Sequence, residues 1–176
     1  MKTSQLKKLY PILLITLVIV IAVTFLSSLV ACAEAGYQQT LEMLQKIFTE
    51  ANLYTFDEDT GIYTLYNEAR SEIGYAFYGS GRGYMGDIVV LVGLEDKETI
   101  KGITVTQQRE SYGYWVRLVY SNFFKQFTGL KVEDCDLKRY DGGGGQVDAV
   151  SGATRSSWGV VEAVRGAVLE KIKYID

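Results

Sequence analysis

The chain contains no histidine and only two cysteines. The first absence excludes imidazole acid–base catalysis, His-ligated zinc and His-ligated haem. The second excludes a disulfide framework, because Cys32 sits at the edge of an apolar run and leaves Cys135 without an obvious partner; Cys135 is expected to be a buried, inert thiol. Positive charge is also scarce. Of 18 Lys and Arg, the three before Cys32 (Lys2, Lys7 and Lys8) are set apart, and the rest of the chain is net acidic by six. No basic patch offsets this, so nucleic acid, whose affinity comes from phosphate neutralisation, is not an expected partner. No group of residues reads as a metal site, and none reads as a substrate-processing acid, base or nucleophile.

What the sequence has at its start is a long hydrophobic run. Tyr10 to Val30 carries no charge, which supplies the ~20 residues a membrane-crossing helix needs at about 1.5 Å each. The lysines before it, with Glu34 and no nearby cation after it, put the amino terminus in the cytoplasm and the remainder outside. Leu29-Val30-Ala31-Cys32 can also be read as a lipoprotein signal with Cys32 lipidated. The apolar run exceeds the ~7 to 15 residues usual in a signal peptide, which favours an uncleaved helix. Either reading anchors the chain to membrane lipid and exports the domain. The expected organisation is residues 1–8 as a cytoplasmic tail, 9–31 as the transmembrane helix or signal, 33–52 as a stalk helix, and 53–176 as one domain.

Within the exported part, Leu41, Leu44, Ile47 and Phe48 recur at helical spacing over Tyr37 to Ala51. Ile62 to Tyr66, Ile73 to Tyr78, Asp87 to Leu94 and Thr99 to Thr106 are rich in β-branched and aromatic residues, and the last two are separated by the hairpin-length Glu95-Asp96-Lys97-Glu98. Tyr114 to Phe127 carries a helical stripe of Trp115, Leu118, Val119, Phe123 and Phe127 that ends at Thr128-Gly129. Asp141 to Gly145 reads as a flexible glycine loop, and a last helix after Thr154 aligns Val160, Val161, Val164, Val168 and Ile172. The pattern predicts an α+β fold, an antiparallel sheet flanked by helices and preceded by one transmembrane helix.

Two motifs stand out. Gly81-Arg82-Gly83-Tyr84-Met85-Gly86 has the G-x-G-x-x-G spacing of dinucleotide sites, but a β-branched run follows it where such a site requires a helix. It reads as a bend between strands that serves either chain packing or close approach to a flat ligand. The second motif, Asp148-Ala149-Val150-Ser151-Gly152-Ala153-Thr154, lies directly before the last helix. A small-residue turn opening a helix presents free N–H groups and a positive dipole end, which suits a phosphate. Gly152 and Ala153 would leave the site uncrowded, and Ser151, Thr154 and Ser156 offer hydroxyls. On local chemistry alone, a helix cap by Ser151 or Thr154 accounts for those hydroxyls but not for the whole string.

The string resembles the flavinylation motif of the FMN-binding domain family, which includes the G subunit of Rnf complexes and the C subunit of the sodium-translocating NADH:quinone reductase. The resemblance extends to Gly83-Tyr84-Met85-Gly86 with the strand after it, to Gly102-Ile103-Thr104-Val105, and to Phe123-Phe124-Lys125-Gln126-Phe127-Thr128-Gly129. Where the family's flavin-side loop reads ETPGLG, this chain reads Glu110-Ser111-Tyr112-Gly113-Tyr114-Trp115, keeping the Glu and one Gly, with Ser in place of Thr and Tyr112 in place of Pro.

The resemblance implies FMN joined covalently through its phosphate to Thr154 by a flavin transferase, with Asp148, Ser151, Gly152 and Ala153 as the rest of the motif. It implies Tyr84, Gly86, Glu110, Ser111 and Gly113 as flavin contacts. The expected function is single-electron relay in an Rnf-type ion-translocating ferredoxin:NAD oxidoreductase, beside polytopic and iron–sulfur subunits. A free-standing flavinylated carrier serving another membrane reductase, and a non-redox lipoprotein or binding module, are the alternatives.

Overall fold

The structure, a computed structural model, describes residues 3–139 and 144–175. The chain divides into two units, Met1–Glu42 and Met43–Asp176. The first is helical and belongs to α1 (Thr3–Leu44). Thr16–Leu44 is long and apolar enough to cross a membrane, and Leu17 through Val30 display their apolar side chains outward, as a helix in lipid would. Helix α1 runs through Ala31 and Cys32 without a break and ends at Leu44, short of the helix expected to continue to Ala51. Beyond it Gln45 turns its amide onto the Ala51 carbonyl at 2.7 Å, and Phe48 enters the second unit fully buried. Its ring fills a socket left by the missing side chains of Gly74 and Gly93.

The second unit is built on a six-stranded antiparallel meander in sequence order: β1 (Leu53–Asp57), β2 (Ile62–Tyr66), β3 (Glu72–Arg82), β4 (Asp87–Leu94), β5 (Thr99–Gln107) and β6 (Leu130–Lys131). Strands β2 and β4 occupy the expected residues; β3 and β5 are longer, and the edge strands β1 and β6 add to the expected set. The β3–β4 ladder is the longest regular one, from Tyr75 opposite Leu94 to Arg82 opposite Asp87. Alternation along β4 sends Ile88, Val90, Val92 and Leu94 to one face, where they meet Val160, Val161, Val164 and Val168 of the last long helix, α3 (Thr154–Lys171). This shared face is the main core.

The helix expected over Tyr114–Phe127 is broken. It forms as α2 (Tyr112–Tyr120) and a separate 3-10 turn (Phe123–Phe127), because Asn122 between them takes a left-handed φ of 58°. The break redirects the stripe: Leu118, Phe123 and Phe127 are fully buried, while Val119 faces solvent. Ile172 likewise falls just past α3 in a short 3-10 turn, still packed on the core. Of the expected glycine loop, residues 141–143 lie outside the described residues, as do residues 1 and 2 of the expected tail. Cys135 is buried as expected; burial, and to a lesser degree the neighbouring Asp136, push its thiol up to about 12.

Candidate functional site

Thr154 is the first residue of α3 and is exposed. The residue in the N-cap position is Ala153, and no side chain caps the helix. Neither Ser151 nor Thr154 therefore serves as the cap that local chemistry offered as the plain reading. The two serines that follow carry the local structure instead. Ser157 is fully buried; its hydroxyl donates to the Ala153 carbonyl at 3.1 Å and accepts the Val150 N–H at 3.0 Å. Ser156, also buried, donates its hydroxyl to Glu110. The N–H groups of Thr154, Arg155 and Ser156 have no acceptor within the helix, by the geometry of any first turn.

The small residues of the motif have packing reasons that the sequence did not reveal. Gly152 adopts φ +75°, and a Cβ there would lie 2.3 Å from the Arg117 guanidinium at the end of α2. Ala153 points into the core rather than clearing space outside it. Arg117 is exposed, and among the described residues no carboxylate pairs with it, so the motif turn carries a cation beside it. Asp148 is tied back by its own chain: Gln126 exchanges two hydrogen bonds with its backbone, at 2.8 and 3.1 Å, and its carboxylate pairs with Lys138 at 2.8 Å. Ser151 is exposed.

The glycine bend and the flavin-side loop meet the same helix. Gly83 donates to the Gly86 carbonyl at 2.9 Å and closes the turn between β3 and β4. The steric demand for the earlier glycines comes from α3, because a Cβ on Gly81 would lie 2.1 Å from the Gly159 carbonyl oxygen. Gly86 is buried against the Arg109 side chain. Tyr84 stands out of the turn, more than half exposed, with its ring against Tyr114 at 4.9 Å between centroids.

Glu110 is 8% exposed, and its carboxylate accepts the Met85 N–H at 2.9 Å and the Ser156 hydroxyl. Burial acts to raise its pKa, but the Ser156 hydroxyl and the N–H groups of Met85, Tyr84 and Gly86 outweigh it and hold the carboxyl below its ordinary range. Ser111 opens α2, its carbonyl accepting the Tyr114 and Trp115 N–H groups while its hydroxyl makes no cap. Gly113, one residue into α2, has nothing within 4 Å of the position its Cβ would take. A cavity of about 830 Å³ lies beyond the Met85–Gly86 edge of the turn, lined in part by Arg82, Gln107, Arg109 and Trp115; Thr154 does not line it.

Residues 83–169 match the FMN-binding domain family model. The matched stretch is just under half of the chain. The match runs from the turn that bears Tyr84, through the loop at Glu110, to the helix that begins at Thr154. A relative from Methanosarcina acetivorans, the G subunit of an ion-translocating oxidoreductase complex, is 36% identical over 117 residues, 64% of this chain and 61% of that one. The corresponding G subunit of Vibrio atlanticus is 36% identical over 90 residues, 49% of this chain and 43% of the relative. The chain therefore spans less than two thirds of these relatives' own lengths.

The fold is shared with the C subunit of the Na(+)-translocating NADH-quinone reductase of Parabacteroides distasonis, with a TM-score of 0.53 at 23% identity over 64% of this chain and 61% of that one. The matched stretch has residues that fit an FMN group: a hydroxyl that caps nothing at a helix start, first-turn N–H groups and Arg117 for a phosphate, and Tyr84 with Tyr114 as an aromatic wall. Sequence reasoning names Thr154 and Tyr84 but misses Arg117, whose signal is spatial.

Proposed function

We propose that the protein is a membrane-anchored flavoprotein subunit that relays electrons in an Rnf-type ion-translocating oxidoreductase, with FMN esterified through its phosphate to Thr154. The observation that carries this reading is that the Thr154 hydroxyl is exposed at the first position of α3 and caps nothing. A hydroxyl with no structural task, at a helix start two residues beyond a glycine that the Arg117 guanidinium approaches, is suited to carry a phosphoester. FMN supplies the redox chemistry through its isoalloxazine ring; the protein supplies position and electrostatics.

In this reading the residues divide the work. Arg117 and the first-turn N–H groups neutralise the phosphate. Tyr84 and Tyr114 offer an aromatic surface to the ring, and Gly113, where packing leaves open space, lets the backbone of α2 come close to it. Ser111 stands exposed at the same end of α2. Residues 9–31 hold the chain in the membrane, with residues 1–8 in the cytoplasm and the domain of residues 53–176 outside, where a covalent bond keeps the cofactor from diffusing away. A flavin transferase installs it, and polytopic and iron–sulfur subunits exchange electrons with it.

The test is protein purified from its source organism, denatured fully and run on a gel. Flavin fluorescence should stay with the polypeptide, and peptide mapping should place the added mass at Thr154. Thr154→Ala should lose the signal while remaining folded. A colourless parent of plain polypeptide mass would end this reading. Copurification with membrane redox subunits tests the assignment to a complex.

A further inference from the structure

Glu110 is the one charged side chain among the buried polar residues described; the other two are Ser156 and Ser157. Among the described residues no Lys or Arg forms a salt bridge with it, so neutral donors alone stabilise a buried carboxylate. Those donors come from two elements far apart in sequence. The Ser156 hydroxyl, two residues beyond Thr154 in the first turn of α3, bonds to Oε2. The Met85 N–H, in the turn that bears Tyr84, bonds to Oε1 at 2.9 Å. Gly83 is shaped to this arrangement, since a Cβ there would stand 2.4 Å from Oε1. From the other side, a Cβ on Gly159 of α3 would stand 2.8 Å from the Gly83 nitrogen, so helix and turn are also in direct backbone contact. Glu110 itself is anchored by its N–H to the Gln108 side chain at 2.7 Å, and it immediately precedes Ser111, where α2 begins.

One carboxylate thus joins the three segments on which the proposed flavin contacts lie: the start of α3, the β3–β4 turn and the entry to α2. We propose that Glu110 is a positioning residue that locks the Thr154 turn to the Tyr84 turn, fixing the flavin's point of attachment relative to its aromatic wall, and that it keeps a negative charge in that wall. This rests on the flavin reading above. It differs from the expectation that Glu110 touches the flavin, because both of its oxygens are already engaged by the protein.

The clamp has a consequence that needs no cofactor. Amide exchange at Met85 should be controlled by Ser156, 71 positions away. In the full chain in detergent, Ser156→Ala and Glu110→Gln should each accelerate exchange at Met85 about fivefold or more, and the double variant should add little to either single one. On flavin-bearing protein, Glu110→Gln removes the buried charge at nearly constant shape, so the flavin midpoint potential should rise. Ser156→Ala keeps the charge but frees the anchor, so the flavin fluorescence anisotropy should fall while the potential stays nearer the parent.

Unchanged exchange at Met85 in Ser156→Ala overturns the clamp. Faster exchange with potential and anisotropy both at parental values overturns the role toward the flavin and leaves Glu110 a fold residue only. Should the parent carry no flavin, the proposed function fails, and the exchange measurement still decides whether the clamp exists. If Glu110→Gln does not fold, Ser156→Ala supplies both the exchange and the anisotropy readouts.

Discussion

Gly79 of β3 and Ala163 of α3 meet backbone to backbone: a Cβ built on Gly79 would lie 2.1 Å from the Ala163 carbonyl oxygen and 2.7 Å from the Ala167 methyl. Gly81 repeats the relationship one step along the strand, against Gly159. Neither contact can be relieved by turning a side chain, since the obstacle is helix backbone. Gly79→Ala and Gly81→Ala should each lower stability by about 3 kcal/mol or more, read as a shift of the urea midpoint of the full chain. Gly166→Ala is the control: it lies on the same helix with nothing within 4 Å, and it should be neutral or slightly stabilising.

At Gly152 the demand is conformational as well as steric. Its φ of +75° costs a residue with a Cβ about 1 to 2 kcal/mol, and the new methyl would also displace the Arg117 guanidinium. Gly152→Ala should therefore destabilise by at least that amount. Arg117→Ala in the same background should recover part of the loss, which a double-mutant cycle in urea measures.

Thr154 and Ser157 should separate cleanly by stability. Ser157→Ala removes a buried hydroxyl that both donates and accepts, leaving the Val150 N–H without its partner, at a cost of about 1 to 3 kcal/mol. Thr154→Ala removes an exposed hydroxyl that caps nothing and should stay within about 0.5 kcal/mol of the parent in flavin-free protein. A large loss for Thr154→Ala would mean that the hydroxyl has a structural task after all.

The depressed pKa of Glu110 makes stability depend on acid. A carboxyl held below its ordinary value of 4.5 contributes stability that is present above that pH and is lost as pH falls through the folded-state pKa. The thermal midpoint of the parent should drop as pH is lowered below 4.5, and Glu110→Gln should drop less steeply over the same range. Equal slopes would place the acid sensitivity elsewhere.

Cys135 should resist maleimide in the native domain in a Cys32→Ser background and react fully once denatured, because burial both hides the thiol and keeps it protonated.

The parts of this fold that can be read from sequence are those where a single element carries its own signal. Strands β2 and β4 can be read from their residues alone, because β-branched and aromatic side chains predominate in the first and an unbroken Ile88–Val92 apolar run fills the second. Strand β1 escapes such a reading because five residues ending in Asp57 at an exposed sheet edge carry little alternation. The segment Tyr114–Phe127 reads as one continuous helix because Asn122, one residue in the left-handed region, leaves the hydrophobic spacing almost intact. At the site, Thr154 is legible from the motif string. The Ser156–Glu110 bond and the Arg117–Gly152 contact are not, since each joins segments whose proximity only the packed sheet and helices define. The Gly81–Gly86 bend reads equally as chain packing or as an opening to a flat ligand; at Gly81 what approaches is α3.

The bare stretch of β3 also limits how this domain can change over time. Where two backbones touch with nothing between them, there is no side chain to trade for another of similar volume, so substitutions there can only push the layers apart. Variation is left to the outward side of α3, where Trp158 and Leu169 face solvent. Homologous chains should differ freely on that surface while β3 keeps its glycines.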